Sequence, residues 1–198
     1  MKRGTLVAFE GIDGSGKSTQ IALLAAALRE RGCEVENTFE PTKGEMGQRI
    51  RAMTRSGETI DPETELAWFV ADRREHVEQV IEPALAKGAW LLTDRYTLSS
   101  VAYQGARGLS ADRILRVSEA QFPLPDLALI FEMEVQLGLS RVSARGGVAD
   151  PWFENPKFLD EVAAVFASLD RAYIERIDAE GEVAAVHARV MAVIDRRF

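Results

Sequence analysis

A single cysteine, Cys33, occurs in 198 residues. A lone thiol excludes an intrachain disulfide and a cysteine-built zinc site, and it suits a reducing cytosol. Cys33 itself reads as a small, half-buried strand residue. Histidine is almost as scarce. His76 and His187 lie in amphipathic helices, lack metal-ligand spacing and read as structural. No apolar run approaches the roughly 18 residues that a bilayer-crossing helix needs, so no membrane partner is expected. The apolar run after Lys2 and Arg3 is too short for a signal peptide. Repeats, low-complexity tracts and linkers are absent. Positive charge is in deficit, with 24 Lys and Arg against 31 Asp and Glu and a net charge of −7. That balance argues against a nucleic-acid surface. Small anionic substrates stay open, because a phosphate site needs only a few arginines in one cleft.

What the chain does carry is Gly11-Ile12-Asp13-Gly14-Ser15-Gly16-Lys17-Ser18. It fills every required position of G-x-x-x-x-G-K-[ST]. The glycines let backbone N–H groups approach phosphate oxygens. Lys17 supplies positive charge for the β- and γ-phosphates, and the Ser18 hydroxyl can ligate Mg²⁺. Leu6 to Phe9 before the loop is a short apolar run. Thr19 to Leu28 after it has helical spacing, with Ile21, Leu24, Ala25 and Leu28 on one face. The positive end of that helix would point at the anion.

The rest of the chain alternates strand and helix. Strands are predicted at 33–39, 89–93, 126–132 and, more weakly, 172–177. Helices are predicted at 46–55, 61–86, 97–105, 110–122, 135–145, 155–170 and 182–196. Asp61-Pro62-Glu63 and Asn155-Pro156 are helix-start signals, and Gly32, Gly57 and Gly88 are stops. Pro83 is expected to bend or break its helix. This pattern predicts one domain over 1–198. Its fold class is α/β, a doubly wound, mostly parallel five-stranded sheet flanked by helices. Glu40-Pro41, Asp94-Arg95 and Ile177-Asp178 follow strands and should gather with the phosphate loop on one sheet edge.

Several side chains could carry chemistry there. Asp94, at a strand end, can hold Mg²⁺ directly or through water, or can cap a turn. Arg95 could clamp a phosphate or form a surface ion pair. Phe69 and Arg73 share a helix face one turn apart. They suit a base and a phosphate, although spacing alone favours a core Phe and a solvated Arg. Arg141 and Arg145 precede Gly146-Gly147 and could ride on a lid near 145–155, or could simply face the helix dipole.

Phe9 to Gln20 resembles the phosphate loop of thymidylate kinases. Phe69-Val70-Ala71-Asp72-Arg73 resembles their F-x-x-[DN]-R helix. Asp94-Arg95-Tyr96 with Ser99-Ser100-Val101-Ala102-Tyr103-Gln104-Gly105 resembles their D-R-Y…S-x-x-A-Y-Q-G segment. Pro125-Asp126-Leu127, Gly138-Leu139-Ser140-Arg141 and Ile177-Asp178-Ala179 follow in order. The likeness covers nearly the whole chain.

The resemblance implies a P-loop nucleoside monophosphate kinase that uses ATP-Mg²⁺ to convert dTMP to dTDP. It implies ATP phosphates on Gly11, Gly14, Ser15, Gly16, Lys17, Ser18 and Thr19, and metal at Ser18 and Asp94. It implies dTMP on Asp13, Phe69, Arg73, Arg95, Ser100, Tyr103 and Gln104. Phe69 would stack on thymine, Arg73 would meet the base or the monophosphate, and Tyr103 would lie near the sugar. Lys17, Arg95, Arg141 and Arg145 would serve catalysis. The loop after Ile177-Asp178-Ala179 would border adenine, and the protein would be a cytoplasmic homodimer. The alternatives are a deoxynucleoside kinase and a nucleotide-binding protein with impaired catalysis.

The chain also departs from the family pattern. Many bacterial relatives carry Arg-Glu-Pro after the second strand, where this chain has Phe39-Glu40-Pro41. Lys43 or Arg49 could replace that charge. One subgroup carries a basic residue inside the phosphate loop, at the position of Gly14. With glycine there the cation should come from the lid, where Arg141 and Arg145 are the candidates.

Overall fold

The computed structural model describes residues 3–58, 60–144 and 155–198. Strands β1 (Thr5–Glu10), β2 (Val35–Phe39), β3 (Trp90–Asp94), β4 (Leu127–Glu132) and β5 (Ile174–Asp178) form one sheet in the order β2-β3-β1-β4-β5. All four pairings are parallel. The expected doubly wound α/β sheet is present. Central strands read as unbroken apolar runs because both of their faces are covered. Alternate residues of β1 go to opposite faces: Leu6 and Ala8 join one core, Val7 and Phe9 the other.

On the Val7 face, Ile21, Leu24 and Leu28 of α1 (Lys17–Glu30) pack with Val186, Val190 and Ile194 of α9 (Val183–Arg197). The Leu6 face is covered by Leu98, Val101 and Ala102 of α5 (Thr97–Ala106), Ile114 and Leu115 of α6 (Ala111–Gln121), and Leu159, Val162 and Phe166 of α8 (Pro156–Ser168). The edge strands β2 and β5 are only partly buried. That accounts for the weak apolar signal of β5.

Local signals act as their chemistry predicts. Asp61, Ser110 and Asn155 accept first-turn N–H bonds at the starts of α3 (Pro62–His76), α6 and α8. Gly57 and Gly88, in left-handed conformation, end α2 (Glu45–Ser56) and α4 (Glu82–Lys87). Pro83 does not end the helical run, but it does not leave it regular. A π-helical turn, Val77–Ile81, joins α3 to α4 just before it. Such a turn accommodates the missing N–H and the bulk of the ring. The last helix before the expected lid, α7, is Val135–Ala144. The lid segment and Arg145 lie outside the described residues.

Candidate functional site

The phosphate loop leaves β1 and enters α1 through Gly16, which has φ of 88° and no capping side chain. The first-turn N–H groups of α1 thus have no side-chain partner at the cap, the arrangement that suits an anion. Gly14 has φ of 81°, and a Cβ there would stand 2.1 Å from the Gly138 carbonyl oxygen of α7. Only glycine fits. Lys17 is buried, and its Nζ donates to the carbonyls of Gly11 (3.1 Å) and Ile12 (2.9 Å). Burial, helped by the charge of Arg95, pushes its ammonium down to about 8. Ser18 Oγ donates to Asp94 Oδ2 at 2.6 Å. A cavity of about 410 Å³ is lined by Gly14, Gly16, Lys17, Ser18, Thr19, Asp94 and Arg95 among others.

A second cavity, of about 200 Å³, adjoins it. Asp13, Phe69, Arg73, Arg95, Ser100, Tyr103 and Gln104 all line it. Asp13, Glu40 and Arg95 line both cavities and form the wall between them. Arg95 fills that wall. Its Nη2 donates to Asp13 Oδ1 (2.8 Å) and the Tyr103 hydroxyl (3.1 Å), and its Nη1 to the Gly11 carbonyl (3.1 Å).

The core-and-solvent reading of Phe69 and Arg73 does not hold. Phe69 is half-buried at the cavity. The Arg73 side chain is 1% exposed and pairs with Glu40 at 2.7 Å. Its Nη2 also donates to Ser100 Oγ (2.9 Å) and the Tyr96 carbonyl (3.0 Å). Burial raises the Glu40 carboxyl, but Arg73 and His76 outweigh it and hold Glu40 below the ordinary range. His76 is therefore structural, as expected, although it supports a wall of the cavity: its Nδ1 meets Glu40 Oε1 at 2.9 Å.

Two buried polar atoms at this cavity have no protein partner: Arg73 Nη1 and Gln104 Oε1. Gln104 spends its amide N–H on the Glu65 carboxylate at 2.8 Å, which fixes its oxygen as the open acceptor.

Neither Lys43 nor Arg49 lines the cavity. Lys43 lies 5.8 Å from the Phe39 ring centroid, and Arg49 stacks 3.9 Å from that of Trp68. The α2 cation that does line it, beside Arg73 and Arg95, is Arg51, which sequence reasoning missed. Its guanidinium donates to the Pro41 and Thr42 carbonyls. Ile50 and Met53, buried on α2, were the available signal for how that helix faces. Arg141 lines neither cavity, and its Nη1 donates to the Ala179 carbonyl at 3.3 Å. Glu10 was also missed: it is fully buried and accepts from the Tyr96 and Leu98 N–H groups and the Ser99 hydroxyl.

The donor set fits Mg²⁺. Ser18 Oγ and Asp94 Oδ2 are hard oxygen donors side by side at the phosphate cavity. Mg²⁺ held by one carboxylate plus phosphates and water needs no larger protein cage.

Comparison with known proteins agrees with the geometry. The family model described as thymidylate kinase matches residues 9–190. A thymidylate kinase of Akkermansia muciniphila is 43% identical over 197 residues, covering 100% of this chain and 94% of that protein. One from Desulfotalea psychrophila is 44% identical over 176 residues, 89% of this chain and 87% of its own. One from Brachyspira hyodysenteriae is 36% identical over 192 residues, with 97% and 94% covered. With two joined cavities behind a complete phosphate loop, and matches across nearly its whole length, the chain belongs to the thymidylate kinase family.

Proposed function

We infer that this chain carries out its family's reaction, phosphoryl transfer from ATP to dTMP giving ADP and dTDP. The observation that carries the reading is the open donor on Arg73 and the open acceptor on Gln104 at the smaller cavity. Thymine offers an O4 acceptor and an N3–H donor, which match them. Cytosine offers an amino donor and a bare N3, which oppose them. An unpaired buried partner costs about 1–3 kcal/mol, enough to reject the wrong base.

Transfer of this kind is mostly positioning and charge neutralisation. The acceptor is already a phosphate oxygen, so no strong general base is required. Gly11, Gly14, Ser15, Gly16, Lys17, Ser18 and Thr19 cradle the ATP phosphates. Asp13, Phe69, Arg73, Ser100, Tyr103 and Gln104 hold dTMP, with Phe69 stacked on the base and Tyr103 beside the sugar. Arg51 takes the place of the absent Arg-Glu-Pro arginine. Arg95, in the wall between the cavities, contacts the phosphoryl group in transit, and Arg145 adds a lid cation. Ser18 and Asp94 hold Mg²⁺, which when bound offsets phosphate charge. Arg141 serves the ATP side through the loop at Ala179. The same reading makes the protein a cytoplasmic homodimer, which sedimentation velocity tests.

The deciding assay follows ADP release from ATP-Mg²⁺ with dTMP, dUMP, UMP, CMP and thymidine in parallel. Turnover is expected with dTMP and not with CMP. Turnover confined to thymidine would make the chain a nucleoside kinase instead.

A further inference from the structure

Arg95 stands in an unfavourable backbone conformation. Its φ is 68°, and it is the one non-glycine residue with positive φ among the described residues. Such a residue persists only where its surroundings over-determine it, and such residues cluster at working sites. Here the surroundings can be named. The Arg95 N–H donates to the Phe9 carbonyl at 2.8 Å, and the Arg95 carbonyl accepts from Thr93 Oγ1 at 2.8 Å. The next N–H, that of Tyr96, donates to Glu10 Oε1 at 3.1 Å.

Glu10 does more than hold one amide. It ends β1, directly before the phosphate loop, and its side chain is wholly buried. The same Oε1 accepts from the Leu98 N–H at 3.1 Å. Helix α5 has Tyr96 at its N-cap position, with no capping side chain of its own. Glu10, 86 residues away in sequence, supplies the missing cap from another strand. Its second oxygen, Oε2, accepts from Ser99 Oγ at 2.5 Å. Ser99 Oγ in turn accepts from Arg95 Nη1 at 3.1 Å. That Nη1 also donates to the carbonyl of Gly11, the residue after Glu10.

We propose that Glu10 is a positioning residue for phosphoryl transfer, fixing the Arg95 guanidinium against the phosphate loop through Ser99 and through the start of α5. The carboxylate binds both ends of one unit: the backbone turn that aims Arg95 and the hydroxyl that receives its Nη1. Oε1 alone caps the helix; Oε2, buried with it, ties that cap to the hydroxyl that receives Arg95 Nη1. The inference rests on the reading of Arg95 given above.

The test is a double-mutant cycle on kcat with dTMP. Glu10→Gln keeps an oxygen for the two backbone N–H groups and replaces the acceptor facing Ser99. It is expected to lower kcat on the order of 10- to 100-fold while leaving KM for ATP within about twofold. In an Arg95→Ala background the same change should cost nothing further, because its route is gone. An equal loss in both backgrounds, or a wild-type kcat in folded Glu10→Gln, would overturn the proposal. Should Glu10→Gln not fold, Ser99→Ala decides the question. It spares both backbone bonds and should lower kcat several-fold, again without effect beyond Arg95→Ala. Wild-type kcat in Ser99→Ala overturns the relay. Arg95→Ala with wild-type kcat would instead overturn the role given to Arg95 itself, so the two failures are distinguishable.

Discussion

Arg73 and Glu40 form an ion pair whose side chains are 1% and 3% exposed, with Nη2 and Oε2 2.7 Å apart. Removing one partner of such a pair leaves a buried charge uncompensated, a loss of about 3–5 kcal/mol. Glu40→Gln should therefore destabilise the fold by an amount in that range and raise KM for dTMP, because Arg73 loses its anchor. Urea unfolding together with steady-state kinetics checks both. A variant with wild-type stability would mean that Ser100 and the Tyr96 carbonyl suffice to hold Arg73.

Arg51 is expected to bind dTMP phosphate from α2. Arg51→Ala should raise KM for dTMP about 10- to 100-fold, the scale of one charge-assisted hydrogen bond, with little change in KM for ATP. Lys43→Ala and Arg49→Ala should stay near wild type, since neither side chain lines either cavity. Equal effects at all three positions would point to general surface charge and not to a defined contact.

The contrast between these residues shows what a sequence can carry. The phosphate loop and the Asp94-Arg95-Tyr96 segment are local, and local spacing expresses their geometry. Arg73's partner Glu40 is 33 residues away, so its burial was invisible, and spacing alone pointed the other way. Arg51 is one of three arginines on α2, and only the packing of Ile50 and Met53 decides which of them reaches the cavity. The cap that Glu10 gives α5 reaches from β1 across 86 residues and has no local signature. Strand alternation, by contrast, needs no partner to be named, and it sufficed for five parallel strands, though not for their order in the sheet.

Glu10 also makes the pH dependence of stability testable. Burial pushes its carboxyl from 4.5 up to about 7, against the pull of Ser99 and Arg95. The folded state then binds a proton that the unfolded state does not between those values. The stabilisation is fully present below about 4.5 and is lost as pH rises through about 7. Relative to Glu10→Gln, which does not titrate, the wild type should lose on the order of 3 kcal/mol between pH 4.5 and pH 8. Paired urea titrations at the two pH values measure the difference. A constant gap would place the Glu10 carboxyl in the ordinary range.

Gly14 decides where the transfer step can draw its positive charge. A Cβ at this position would lie 2.1 Å from the Gly138 carbonyl oxygen and 2.7 Å from its carbon, both backbone atoms of α7. The left-handed φ of 81° opposes any side chain independently of the space. Gly138 is held in turn, since a Cβ on it would stand 2.8 Å from the Asp13 carbonyl oxygen. The loop and α7 thus touch backbone to backbone, and no substitution at position 14 can add a cation without parting them. Gly14→Arg should therefore lose turnover by several orders of magnitude, not gain it, and Gly14→Ala should lose nearly as much. Circular dichroism and single-turnover kinetics separate a displaced loop from a misfolded chain. If Gly14→Arg matched or exceeded wild-type kcat, α7 would have to yield, and the loop itself could supply charge. Otherwise charge beyond that of Lys17 is expected from the shared wall, where Arg95 stands, with Arg145 the further candidate under the proposed reading.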